Sequence, residues 1–157
     1  QHMPPTFTAL LAEQLGQSAG VRACEGAEGA LVEPRTIYVA PGGKHLLAER
    51  RGASVVLHLS DDPPEHFCKP AVDPMFRSLA KAYGAGLLGV VLTGMGRDGA
   101  DGGVAIADFG GRFIVQDEAS SVVYGMPGAA FRTGRASAQI SLNEIGAHLA
   151  ASMGRAR

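Results

Sequence analysis

Residues 86–103, GLLGVVLTGMGRDGADGG, decide the fold. Leu87, Leu88, Gly89, Val90, Val91 and Leu92 form an apolar run of strand length without polar alternation, the pattern of a strand covered on both faces in a parallel sheet. Gly94, Gly96 and Gly99 then supply the backbone freedom of a tight turn. Asp98 and Asp101 stand where a helix can begin over residues 101–107, and acids there complement the positive end of its dipole. Strand, turn and helix start in that order form the usual ligand position of an open α/β sheet.

Downstream, Gly110 and Gly111 stop the helix and Arg112-Phe113-Ile114-Val115-Gln116 reads as the next strand, completing a βαβ unit with short connections. Met126-Pro127-Gly128 opens a short helix, and Ser141-Leu142-Asn143-Glu144 is a capping box for a final one with Ile145, Leu149 and Met153 on its buried face. Upstream, Asp73 reads as an N-cap with Pro74 behind it, and Phe76, Leu79, Ala80 and Tyr83 give that helix its apolar stripe. Residues 45–50 and 53–59 flank Arg51-Gly52 as a hairpin, and residues 21–25 and 36–40 are strands. Near the start, Phe7, Leu10, Leu11 and Leu15 predict an amphipathic helix over 6–16 that buries this stripe. The expected fold is α/β in three layers: a mostly parallel sheet with helices on both faces, plus a small antiparallel hairpin, in one domain over residues 1–157.

Composition narrows the function. A net charge of −1 over 157 residues gives no broad field for nucleic acid or an anionic membrane surface, so neither is expected as a partner. No apolar run approaches the roughly 20 residues that cross a bilayer, so no membrane insertion is expected. Two cysteines, Cys24 and Cys68, do not make a disulfide framework, and a reducing, cytoplasmic setting is the expectation.

The turn admits three chemistries. Gly94, Gly96 and Gly99 fit GxGxxG between a strand and a helix, with Asp117 placed to meet a ribose, so a dinucleotide-binding module is the alternative reading. Against it, a pyrophosphate on the helix N-terminus would face Asp98 and Asp101. A metal reading takes His66, Cys68, His45 and His58, but their spacing matches no ligand pattern, and neither metal nor cofactor is expected. A hydrolase reading takes Asp98 as the acid that orients a histidine, with His2 the interesting candidate. From residue types alone, Asp98 capping its own helix is an equal alternative.

Five stretches then carry a resemblance: Gln1-His2-Met3-Pro4; residues 37–46, IYVAPGGKHL; Lys69-Pro70-Ala71-Val72-Asp73; residues 92–100, LTGMGRDGA; and residues 116–127, QDEASSVVYGMP. In this order they resemble the catalytic domain of the chemotaxis protein-glutamate methylesterases, the CheB family. The resemblance implies a Ser-His-Asp hydrolase that removes methyl esters from glutamates of methyl-accepting chemotaxis receptors, and in some members deamidates receptor glutamines by the same acyl-enzyme route. It implies His2 as catalytic histidine, Asp98 as its aspartate and the Met95 backbone N–H as oxyanion donor. Arg77, Arg97 and Arg132 are the cations available to acidic receptor helices.

The family's nucleophile lies in a Gly-rich Ser-Thr-Gly-Gly segment ahead of the histidine, and no such segment occurs among these residues. Ser120 and Ser121 fall in a matched stretch without the flanking glycines of a nucleophile elbow, and read as turn residues. The expectation is a catalytic domain lacking its first strand and its nucleophile segment, with no receiver domain of its own. A response-regulator receiver domain is then an expected partner.

Overall fold

The structure, a computed structural model, describes residues 2–154; Gln1 and the Met153 side chain, both part of the reading above, lie outside the described residues. The elements run α1 (Pro5–Ala19), β1 (Arg22–Glu25), β2 (Thr36–Val39), β3 (His45–Arg51), β4 (Ser54–Ser60), α2 (Val72–Tyr83), β5 (Leu88–Val91), α3 (Ala100–Asp108), β6 (Arg112–Gln116), α4 (Met126–Arg132), β7 (Ala138–Ile140) and α5 (Leu142–Gly154). β1 and β2 pair in parallel, β5, β6 and β7 form a parallel sheet in that order, and β3–β4 is an antiparallel hairpin. The mixed α/β fold with parallel strands, flanking helices and one small antiparallel pair matches expectation.

The most deeply covered strand is β6, not β5. Phe113, Ile114, Val115 and Gln116 expose 1% or less, because β6 lies between two neighbours. Among the described residues β5 pairs with β6 alone, and the apolar run that continues it ends in a 43% exposed Leu92. A cleft opens along this side of β5. β7 has no clear signal in the sequence: three residues after a glycine turn do not establish a period.

Helix α1 buries a face rotated from the one expected, and of the predicted stripe only Leu11 is half-buried. Phe7 and Leu10 are 52% and 53% exposed, whereas Thr8 and Ala12 are buried. Small residues face the strands because the helix comes close to them: a Cβ on Gly16 would stand 3.1 Å from the Ala23 Cβ. Thr8 also has a polar task, its single hydroxyl hydrogen placed between the Glu25 carboxylate and the Pro5 carbonyl while its oxygen accepts from the Gly42 N–H. A stripe of small residues at i, i+4, i+8 gives no hydrophobic signal.

Helix α2 buries its predicted face, with Phe76 and Ala80 in the main core beside Val91, Ile106 and Phe113. Its start differs: the N-cap position is Ala71, and Asp73 lies inside the first turn. At α5 the Leu142 N–H is capped by the Ser120 hydroxyl at 2.9 Å, and Ile145 is buried as expected. Gly146 is exposed in the middle of α5, with nothing within 4 Å of the place a Cβ would take. Gly146→Ala should therefore raise stability by about 0.5–1 kcal/mol through reduced unfolded-state freedom, measurable as a higher urea midpoint at unchanged slope.

Candidate active site

Two buried aspartates cap each other's helices. Asp98, just before α3, accepts from the first N–H groups of α2: Val72 N to Oδ2 at 2.6 Å and Asp73 N to Oδ1 at 2.8 Å. Asp73, in the first turn of α2, returns the arrangement by accepting on Oδ1 from Gly99 N at 2.9 Å and Gly102 N at 2.6 Å, at the start of α3. Both carboxylates are almost wholly excluded from water. Asp98 thus caps α2 rather than its own helix, and Asp73 caps α3 rather than α2; the two expected caps are exchanged. Desolvation is the larger influence on Asp73 and raises its carboxyl above the usual range, against the Gly102 and His66 hydrogen bonds.

His2 comes to this pair from the far end of the sequence. Its Nε2 lies 2.7 Å from Asp98 Oδ2 across 96 residues of separation, and its ring remains 27% exposed to the cleft. With Nε2–H given to the carboxylate, Nδ1 is the nitrogen left to take a proton. The amides of Val72 and Asp73 hold the Asp98 carboxylate rigidly, so it can fix the ring's orientation and stabilise its cation.

The loop after β5 forms the opposite wall. Gly94 is pinned by its N–H to the Val123 carbonyl at 3.0 Å, and by its own carbonyl, which accepts from Gly125 and Met126 N–H at 3.1 and 2.8 Å. A Cβ there would stand 2.5 Å from Met126 Sδ, so a larger residue would have to displace the methionine side chain. Among the described residues the next amide, Met95 N–H, has no protein acceptor, and its side chain is 84% exposed. The cleft, of about 830 Å³, is lined by His2, His66, Phe67, Cys68, Met95 and Met126 among others, and by the open side of β5.

The dinucleotide reading fails on hydrogen-bond accounting. Gly96 and Gly99 do adopt left-handed backbones, φ 95° and 92°. The N–H groups at the start of α3 that would hold a pyrophosphate already hold the Asp73 carboxylate. Asp117 is likewise engaged, its Oδ1 accepting from the Ser120 N–H and hydroxyl. The Ser120 hydroxyl serves Asp117, Gln116 and Leu142, and the Ser121 hydroxyl donates to the Asp117 carbonyl at 2.6 Å. Both serines are turn residues.

Two groups lining the cleft could in principle act as nucleophiles, Thr93, whose hydroxyl donates to the Val123 carbonyl at 3.1 Å, and Cys68. Burial, and then the charge of Asp98, push its thiol up, so it stays protonated at neutral pH and has little thiolate character. His45 is buried with both ring nitrogens engaged, Nε2 with the Pro63 carbonyl at 3.1 Å and Nδ1 with Ala71 N–H at 3.2 Å. His58 pairs with Glu28 and His66 with Asp73, so the four metal candidates do not converge. Arg77 is clasped by Glu65 and Arg97 by Asp101, which leaves neither as a free cation.

The sequence model of the CheB methylesterase family matches residues 1–149. The chain belongs to the CheB methylesterase family. It is 53% identical over 149 residues to a Rhodospirillum rubrum protein named protein-glutamate methylesterase/protein-glutamine glutaminase 1, covering 95% of this chain and 38% of that protein. A Rhodopseudomonas palustris (strain BisB5) protein named protein-glutamate methylesterase/protein-glutamine glutaminase is 54% identical over 149 residues, with 95% and 39% covered. The crystal structure of the Thermotoga maritima CheB methylesterase catalytic domain superimposes with a TM-score of 0.91 at 34% identity, covering 95% of this chain and 79% of that one. This chain therefore spans less than two-fifths of the length of these curated CheB relatives.

Sequence reasoning missed the tasks of two residues that shape the CheB site. Gln116 is fully buried and ties the loop together, accepting from Thr93 N–H at 2.8 Å and donating to the Ser120 carbonyl at 2.7 Å. An amide ending an otherwise apolar strand was the available signal, since a buried polar group must find partners. His66, weighed above only as a metal candidate beside Cys68, instead pairs with Asp73 and lines the cleft.

Proposed function

We propose that this chain forms the His-Asp half of a protein-glutamate methylesterase site of the Ser-His-Asp type, acting on methylated glutamates of chemotaxis receptors. The observation that carries the proposal is the 2.7 Å contact between His2 and a buried Asp98 locked by two amides. In this reading His2 Nδ1 takes the proton of a serine hydroxyl as its oxygen attacks the ester carbonyl carbon. The Met95 N–H donates to the oxyanion, and the Asp98 carboxylate offsets the imidazolium charge. Collapse breaks the C–O bond to the methoxy group, and His2 returns the proton to release methanol. Water then attacks the acyl-enzyme by the same route, leaving glutamate and free serine. A glutamine side chain enters the same sequence with ammonia as leaving group.

The serine is proposed to lie outside these 157 residues and to reach His2 along the open edge of β5. A domain completed by about 30 further residues, the length of one strand-helix-strand unit, should release labelled methanol from methylated receptor membranes. The 157-residue chain alone should stay at background. Turnover by the short chain that is abolished by Ser121→Ala would overturn this assignment. A receiver domain and a cytoplasmic setting accord with the family; among the described residues no helix is long and apolar enough to cross a membrane.

A further inference from the structure

His45 opens β3 almost wholly excluded from water, away from the residues that line the cleft. Its partners leave the ring one arrangement of hydrogens. The Pro63 carbonyl can only accept, so Nε2 carries the hydrogen of that 3.1 Å contact. The Ala71 N–H can only donate, so Nδ1, 3.2 Å away, is bare. A buried neutral imidazole thus bridges a loop carbonyl and the amide of the residue at the N-cap position of α2.

The segment that His45 grips leads straight into the site. Gly43 N–H donates to the Lys69 carbonyl at 3.2 Å, so residues 43 and 45 hold residues 69 and 71 at two points. The Ala71 side chain offers α2 no cap. The next two amides, Val72 and Asp73, are the ones from which the Asp98 carboxylate accepts, at 2.6 and 2.8 Å. Asp98 Oδ2 in turn meets His2 at 2.7 Å. Planar peptide units join Ala71 to both amides, so a displacement of Ala71 carries them with it.

We propose that His45 is a positioning residue: by holding the Ala71 N–H it sets the Val72 and Asp73 amides against Asp98, and through that carboxylate it fixes the orientation of His2. For its effect on rate the inference rests on the esterase reading, to which it adds a residue that touches neither His2 nor the cleft. A carboxylate free to tilt no longer presents one fixed oxygen to the imidazole, and catalysis by a positioned base is sensitive to such shifts.

Two substitutions separate positioning from simple filling of the site, because each removes one of the two hydrogen bonds. Asparagine puts its amide oxygen near the place of Nδ1 and still accepts from Ala71, but falls short of Pro63. Glutamine puts its amide nitrogen near the place of Nε2 and still donates to Pro63, but leaves the Ala71 N–H unpaired. In the completed domain His45→Gln should lower kcat by about ten- to a hundredfold with KM within about twofold, whereas His45→Asn should keep kcat within about threefold of the parent at a similar melting temperature. In the 157-residue chain the Val72 and Asp73 amides should exchange with deuterium about tenfold faster in His45→Gln than in His45→Asn, while the Ile114 and Val115 amides of β6 exchange alike in the two. A nitrogen-15 spectrum of the unsubstituted chain at neutral pH should show His45 with hydrogen on Nε2 and none on Nδ1, a readout that needs neither variant to fold. Equal rate losses or equal exchange in the two variants would reduce His45 to a packing residue and overturn the inference, as would hydrogen on Nδ1. Absence of methanol release from the completed parent domain, with the exchange difference present, would count against the esterase reading alone.

Discussion

Asp98→Asn in the completed domain is expected to cut methyl-ester hydrolysis by about three to four orders of magnitude and to lower stability at the same time. The carboxylate makes three close contacts: Asp73 N on Oδ1, and both Val72 N and His2 Nε2 on Oδ2. An amide has one acceptor atom for these two sites. With its oxygen facing Asp73, its NH2 opposes the Val72 N–H and forces Nε2 of His2 to accept; the ring proton then moves to Nδ1, the nitrogen the reaction needs as a base. With the oxygen facing Val72, the Asp73 N–H loses its partner. Either arrangement strands one buried N–H, at about 1–3 kcal/mol, or a few degrees in melting temperature for a domain of this size. Asp101→Asn is the matched control. Asp101 is exposed and pairs with Arg97 at 2.9 Å one turn away, worth about 0.3–0.5 kcal/mol. Thermal melts and methanol release on both variants decide the matter; similar small losses in the two would remove Asp98 from the catalytic machinery.

What the sequence could and could not reveal follows from the range of each signal. Local periodicity is a property of neighbours, so α2, α3, β6 and the β3–β4 hairpin are legible, the last from Arg51-Gly52 between two β runs. Tight packing inverts the same signal. Helix α1 meets its strands through Thr8, Ala12 and Gly16, and the neighbouring apolar stripe leaves Phe7, Leu10 and Leu15 exposed. Motif similarity supplied His2 and Asp98 as a pair, which no spacing rule joins across 96 residues. The exchange of caps between Asp73 and Asp98 was out of reach, because an acid at a helix start satisfies amides of whichever helix packs nearest. Gln116 and His66 were hidden for the same reason: their partners lie in other elements.

That exchange of caps depends on how closely α2 and α3 approach, and Gly102→Ala measures it. Intrinsic preference favours the change, since alanine gains about 1 kcal/mol over glycine inside a helix. Packing opposes it. A Cβ on Gly102 would stand 2.6 Å from Phe76 Cβ, 3.0 Å from Asp73 Oδ1 and 3.1 Å from Asp73 Cα. Two of these three neighbours are fixed by the backbone, since neither the Phe76 Cβ nor the Asp73 Cα can rotate away. Relief requires α2 to move from α3, which breaks the 2.6 Å bond from Gly102 N to Asp73 and slackens the Asp73 N–H bond to Asp98. Overpacking of this kind costs about 1–3 kcal/mol, and a weakened buried hydrogen bond adds about 1 kcal/mol. The net expectation is a loss of about 1–3 kcal/mol, near 3–10 °C in melting temperature for a domain of this length. The opposite sign is expected for Gly146→Ala, where the helix term acts alone in open space. In the completed domain Gly102→Ala should also slow ester hydrolysis, because the displaced α2 amides no longer hold the Asp98 carboxylate against His2. A melting temperature that rises equally in both variants would mean that α2 and α3 do not meet at Gly102.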